Sequence, residues 1–186
     1  MITFRNYTIV IALAALSIAW RDYNLNTFLA PGLEMITLVA VVSALLLPVV
    51  AAISIPLLTV ALGDMLLGSH SYIFVFVWGA WALIAAMALF MRKASSAKSA
   101  AAHGAGIGVA SSSAFFLITN FGTWFMGRGE WYADSLAGLM GAYAMGLPFY
   151  LTPLVANLVL CPVVALLVYR VKETAPKTAP EPVFTL

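Results

Sequence analysis

Residues 111–132 read SSSAFFLITNFGTWFMGRGEWY, and this stretch decides the class of the whole chain. Its first two-thirds are apolar enough for a membrane. Asn120 nevertheless sits inside the apolar run, and tryptophans and charges follow between Trp124 and Tyr132. An amide in hydrocarbon must find its partners without water, so Asn120 is expected to face a cavity or another helix rather than lipid.

The rest of the sequence has the same character. Hydrophobic residues make up 63% of the 186 and charged residues 9%, with a mean hydropathy of +1.03. Soluble domains are about 45–50% apolar and about 25% charged. So few charges cannot cover a water-facing surface, and the chain reads as an all-α integral membrane protein. The apolar segments are continuous runs rather than the ten-residue alternations of a transmembrane barrel.

Spans of roughly 17–25 residues fall near 5–20, 33–50, 53–68, 72–91, 104–126 and 149–169, giving six helices in one domain over residues 1–170. The boundary between the second and third lies in VVAAIS, flanked by Pro48 and Pro56. The apolar stretch ahead of the ALA at 12–14 is too short for a signal peptide, and the run continues to Trp20, so it is read as the first span. Residues 171–186, with KETAPKTAPEPVFTL, form an expected flexible cytoplasmic tail. A basic loop, RKASSAKSAAAHG, follows the fourth span.

Basic residues set the expected orientation. Six spans with an inside N-terminus put Arg5, Arg92, Lys93, Lys98, Arg170, Lys172 and Lys177 inside, and only Arg21 and Arg128 outside. This bias predicts both termini in the cytoplasm of a bacterial inner-membrane protein. The net charge of +2 comes mostly from these juxtamembrane residues and gives no reason to expect nucleic acid as a partner. The apolar part of GRGEWYADSLAGLMGAYAMGLP, Leu136 to Leu147, is too short to cross about 30 Å. It is expected to form an interfacial or re-entrant segment over the outer mouth, with residues 130–147 as a lid.

Polar groups at membrane depth are costly and functional by default. They are Glu34, Asp64, His70, Asn120, Asn157 and the run Ser111 to Ser113. Glu34, Asp64 and Asn120 fall in the expected outer half, near Trp124, Glu130, Trp131, Tyr132 and Asp134. Each also has a structural reading. Asp64 can pair with Arg21 or Arg128; Asn120 and Asn157 can hydrogen-bond other helices; the serines with Gly104, Gly106 and Gly108 can let helices approach closely; the tryptophans can form an interfacial belt. Cys161, the single cysteine, reads as a small buried residue and builds no disulfide framework.

Catalytic chemistry finds no footing. The Gly63-Asp64 pair lacks the preceding glycine and second aspartate of intramembrane aspartyl proteases. His70 and His103 fall on opposite sides, no Cys/His metal spacing occurs, and there is no phosphate loop. No enzyme activity, cofactor or metal is expected.

PLLTVALGDMLLGSHSYIFVF, SSSAFFLITNFGTWF, YADSLAGLMGAYAMGLPFY and NLVL together resemble a domain-of-unknown-function family of small bacterial membrane transport proteins. The resemblance covers roughly residues 50 to 165. Before residue 50 the family commonly shows an Asn-Phe-x-Pro-x-Gly-Ala-type run, where this chain has APGLEMITLVAV. The family in turn is similar to the substrate-binding S components of energy-coupling factor (ECF) vitamin transporters. That similarity implies a six-helix bundle, a vitamin-like or metal-like solute, and a partner module with ATPases. It also implies docking of that module through an Ala-x-x-x-Ala pattern on the first helix, here Ala15 and Ala19, with Ala12 nearby. Together these readings give an outward pocket lined by Asp64, Asn120 and Trp124, with Glu34 and Tyr143. A non-catalytic accessory subunit of a larger membrane complex is the alternative.

Overall fold

The computed structural model describes residues 4–68 and 72–174. These form six α-helices: α1 (Phe4–Thr27), α2 (Ile36–Leu46), α3 (Val49–Leu67), α4 (Phe74–Ala88), α5 (Ala97–Gly127) and α6 (Leu136–Thr174). A 3₁₀ turn, Leu89–Lys93, extends α4. Among the described residues there is no named strand. Four helical segments are long and apolar enough to cross a membrane: Val49–Leu67, Phe74–Lys93, Ala97–Gly127 and Leu136–Thr174. In α1 the apolar run is bounded by Arg5 and Asn6 on one side and Arg21 and Asp22 on the other, and α2 is too short.

α2 is the centre of the bundle. Its sequence ITLVAVVSALL is apolar on every face, as a helix surrounded by protein must be, and ten of its eleven residues are buried. At 1.5 Å per residue it spans about 16 Å. It ends where Leu47 turns extended ahead of Pro48, which cannot carry the helix onward. The break thus falls one to two residues before VVAAIS, and Pro56 lies inside α3. A helix ending inside the protein leaves carbonyls in need of donors. Lys172 Nζ donates to Leu45 O at 2.9 Å, Asn6 Nδ2 to Leu46 O at 3.2 Å, and Arg92 Nη2 to Leu47 O. Two cations at a helix C-terminus also oppose its dipole favourably.

The longest pairing in the bundle is between α5 and α6. A side chain at Gly104 would meet Cys161 O at 2.7 Å and Pro162 Cα at 2.8 Å, and one at Gly108 would meet the carbonyl of Asn157. Both glycines let backbones touch. Gly106 of the same run faces open space. Asn157 Nδ2 donates to Ser112 Oγ at 3.0 Å, and Ser113 Oγ lies 3.0 Å from Tyr150 Oη.

The segment expected to form a separate re-entrant piece does not stand apart. Leu136 to Leu147 makes the first turns of the continuous α6, packed along α5 through Gly146, where an added Cβ would strike the Asn120 side chain. Pro148 lies inside this helix rather than ending it. The expected lid is therefore part of a long helical hairpin. At the other end α6 runs to Thr174. His70 and the remainder of the tail lie outside the described residues.

Candidate functional site

The α1–α2 connection is folded by its own polar groups. Asn24 clamps Ala30 at both backbone atoms, its Nδ2 donating to the carbonyl at 2.8 Å and its Oδ1 accepting from the amide at 2.9 Å. Trp20 Nε1 donates to Leu33 O at 2.9 Å. Gly32, at φ 75°, passes so close to the Phe149 carbonyl that no Cβ fits. These ties hold the next residue of the connection, Glu34, against the bundle.

Glu34 enters a cluster of three charges. Arg21 of α1 sits between two carboxylates: its Nη2 lies 2.7 Å from Asp64 Oδ1, and its Nε 3.6 Å from Glu34 Oε1. Asp64 accepts a second bond from Trp78 Nε1 at 2.8 Å. Asp64 is thus fully engaged, by Arg21 rather than Arg128. Glu34 is not: its Oε2 is enclosed and has no hydrogen-bond partner. Burial pushes the Glu34 carboxyl up to about 7, Arg21 pulling against this and Asp64 adding to it. A buried acceptor without a donor costs free energy whichever form it takes.

Two cavities meet at this residue. One, of about 90 Å³, lies between α2, α4, α5 and α6; its polar wall includes Glu34, Thr37, Ser111, Ser112, Asn120 and Asn157. Its apolar wall includes Trp81, Phe115, Phe116, Phe149 and Tyr150. Ser111 is fully buried there, and its hydroxyl also has no partner. The other cavity, of about 170 Å³, is lined by Arg21, Glu34, Asp64, Phe74 and Val77. Glu34, Trp81 and Phe115 line both, and the Trp81 and Phe115 rings pack at 4.8 Å.

The expected site residues therefore separate. Glu34 and Asn120 share the smaller cavity, whereas Asp64 lines the larger one with Glu34. Asn120 donates to Phe116 O at 2.8 Å and presses on Gly146, so it serves both the cavity and the α5–α6 seam. Trp124 lines neither cavity; its Nε1 donates to Ala133 O at 3.1 Å and Arg128 lies near its ring. Tyr143 is also outside, donating to Leu117 O at 3.1 Å and packing on Phe116. Ala12, Ala15 and Ala19 are exposed on the outer face of α1, away from both cavities. Sequence reading missed the aromatic walls, since Trp81, Phe115 and Tyr150 lie in apolar runs that look like lipid-facing helix. It placed Ser111 in a packing stripe; Ser111 is fully buried, and its hydroxyl has no partner.

No curated protein and no solved structure matches the chain. A family of unknown function, DUF6580, matches residues 2–178, and the chain belongs to that family.

Proposed function

We propose that the protein is a membrane solute-binding or transport protein whose binding site is the cavity between α2, α4, α5 and α6. The observation that carries this reading is that two of the four unpartnered buried side-chain oxygens among the described residues, Glu34 Oε2 and Ser111 Oγ, belong to residues lining one partly open cavity, the other two being those of Ser17 and Ser43. Buried polar groups in proteins are nearly always satisfied. Two such orphans among the lining residues of one cavity support a polar guest there. The cavity combines mainly aromatic walls with a few convergent polar groups, as small-molecule sites do. Its size limits the guest to a few non-hydrogen atoms.

In this reading the chain works as an S-component-like protein of a bacterial inner membrane, with both termini in the cytoplasm. The basic residues Arg92, Lys93, Lys98, Arg170 and Lys172 support that orientation. The pocket opens outward, toward the α1–α2 and α5–α6 connections. An energising ATPase module docks on the exposed α1 face at Ala15 and Ala19.

The test uses the purified full chain in mild detergent. The small-molecule fraction of a cell extract raises the melting temperature of the wild type, because a ligand that binds only the folded state stabilises it. Ser111→Leu, which fills the cavity, abolishes the rise while keeping a cooperative melt. A folded wild type that no fraction stabilises, purified with stoichiometric large partners, overturns the proposal in favour of an accessory subunit.

A further inference from the structure

Resting on that binding reading, the chemistry of the cavity wall narrows the class of guest. Glu34 is the only carboxylate among the described lining residues, and none of them is Lys, Arg or His. The one guanidinium nearby, Arg21, lines the neighbouring cavity and is held by Asp64 at 2.7 Å. With Glu34 ionised, the cluster of Arg21, Glu34 and Asp64 carries one negative charge in excess. That charge sits on a half-buried side chain whose Oε2 no protein donor reaches.

We infer that the cavity takes a small organic cation bearing N–H donors, an alkylammonium, with Glu34 as its counter-ion and Ser111 as a second acceptor.

Three features converge on this class. An ammonium donates several hydrogen bonds and accepts none, and both orphaned oxygens, Glu34 Oε2 and Ser111 Oγ, are able to accept. The rings of Trp81, Phe115, Phe116 and Phe149 present π-faces or edges around the same space. Such faces attract cations, most strongly where water is excluded. A carboxylate guest would instead meet Glu34 as a like charge with no cation on the wall to offset it. A neutral polyol would satisfy the oxygens but leave the excess charge uncompensated. Protonation of Glu34 is the competing way to neutralise the site, so guest and proton exclude one another. The charged groups that bear on Glu34 in this exchange are Arg21 of α1 and Asp64 of α3, and the titratable Tyr150 of α6 lines the same cavity with its hydroxyl 3.0 Å from Ser113 Oγ.

Three size-matched probes separate the possibilities: ethanolamine, ethylene glycol and glycolate, titrated into the purified full chain by calorimetry. Ethanolamine is expected to bind, and to bind more tightly at pH 8 than at pH 6, because Glu34 must lose its proton. Glu34→Gln should weaken it about 10- to 100-fold, and Trp81→Leu about 3- to 10-fold. Ser111→Ala keeps the fold with minimal change in volume and should weaken it several-fold. Binding of glycolate or ethylene glycol in preference to ethanolamine overturns the cation assignment and leaves the cavity a solute site. Binding of none of the three, by a chain that an extract fraction does stabilise, likewise overturns it. Loss of both responses sinks the binding reading itself. Should Glu34→Gln fail to fold, the pH dependence of the wild type decides: affinity that is flat or falls from pH 6 to 8 contradicts Glu34 as counter-ion.

Discussion

Arg21 of α1 reaches Asp64 of α3 at 2.7 Å, and the same guanidinium lies 3.6 Å from Glu34 ahead of α2. One cation thus joins three elements and holds two carboxylates close together. Removing Arg21 leaves two like charges side by side, whereas removing the Asp64 charge leaves Arg21 opposite Glu34. Arg21→Met is therefore expected to destabilise more than Asp64→Asn, by about 1–3 kcal/mol at pH 8. Thermal melts of the two variants in the same detergent check this, and equal losses would contradict it.

The pH dependence of stability follows from Glu34. Its carboxyl sits at about 7 in the folded protein against 4.5 ordinarily. Between those values the folded protein holds a proton that the unfolded chain has released. Stability therefore falls as pH rises from about 4.5 to 7 and levels off above. Glu34→Gln should flatten this slope. The gap between Arg21→Met and Asp64→Asn should also shrink as pH falls toward 5, because a protonated Glu34 no longer repels Asp64.

The glycines of α5 separate cleanly by what they face. Gly104→Ala and Gly108→Ala push a methyl into the α6 backbone at Cys161, Pro162 and Asn157, which cannot yield as a side-chain tip would. Each is expected to cost about 1–3 kcal/mol. Gly106→Ala meets nothing within 4 Å and should be neutral or stabilising by up to about 1 kcal/mol. Unfolding in mixed detergents measures all three, and a Gly106 loss equal to the others would refute close backbone approach.

The C-terminus of α2 makes a further prediction. Arg92→Met and Lys172→Met each strip a charged donor from a carbonyl of this central helix. Expected losses are about 1.5–3 kcal/mol apiece. Arg170→Met removes only an exposed pair with Glu173 at 3.3 Å and should be near neutral. Hydrogen exchange at residues 43–47 should rise in the first two variants alone.

Much of the fold is legible in the sequence because long apolar runs favour helices, which satisfy their own backbone groups. Polar residues inside those runs drew attention to Glu34, Asp64 and Asn120, which the fold places along two adjoining cavities. What sequence does not carry is depth and azimuth. α2 reads as an ordinary span from 33 to 50, yet its all-round apolar sequence suits a short helix walled by protein, and Pro48 stops it early. Trp124 and Tyr143 are near Asn120 in the chain or the hairpin, but their bonds to Ala133 and Leu117 turn them away from the cavity. Leu136 to Leu147 is too short to span alone, and only its continuity with α6 reveals the hairpin. Ser111 and Ser112 are identical neighbours in sequence and both line the cavity; the hydroxyl of one is unpartnered, and the other bonds Gly108 O and Asn157.

Native mass spectrometry of the intact chain, released from mild detergent, tests the central claim most directly. The wild type is predicted to carry one small molecule of a few non-hydrogen atoms, absent from Ser111→Leu purified in parallel. A wild type and a Ser111→Leu protein that both fold and both fly without a ligand would contradict a solute site in this cavity.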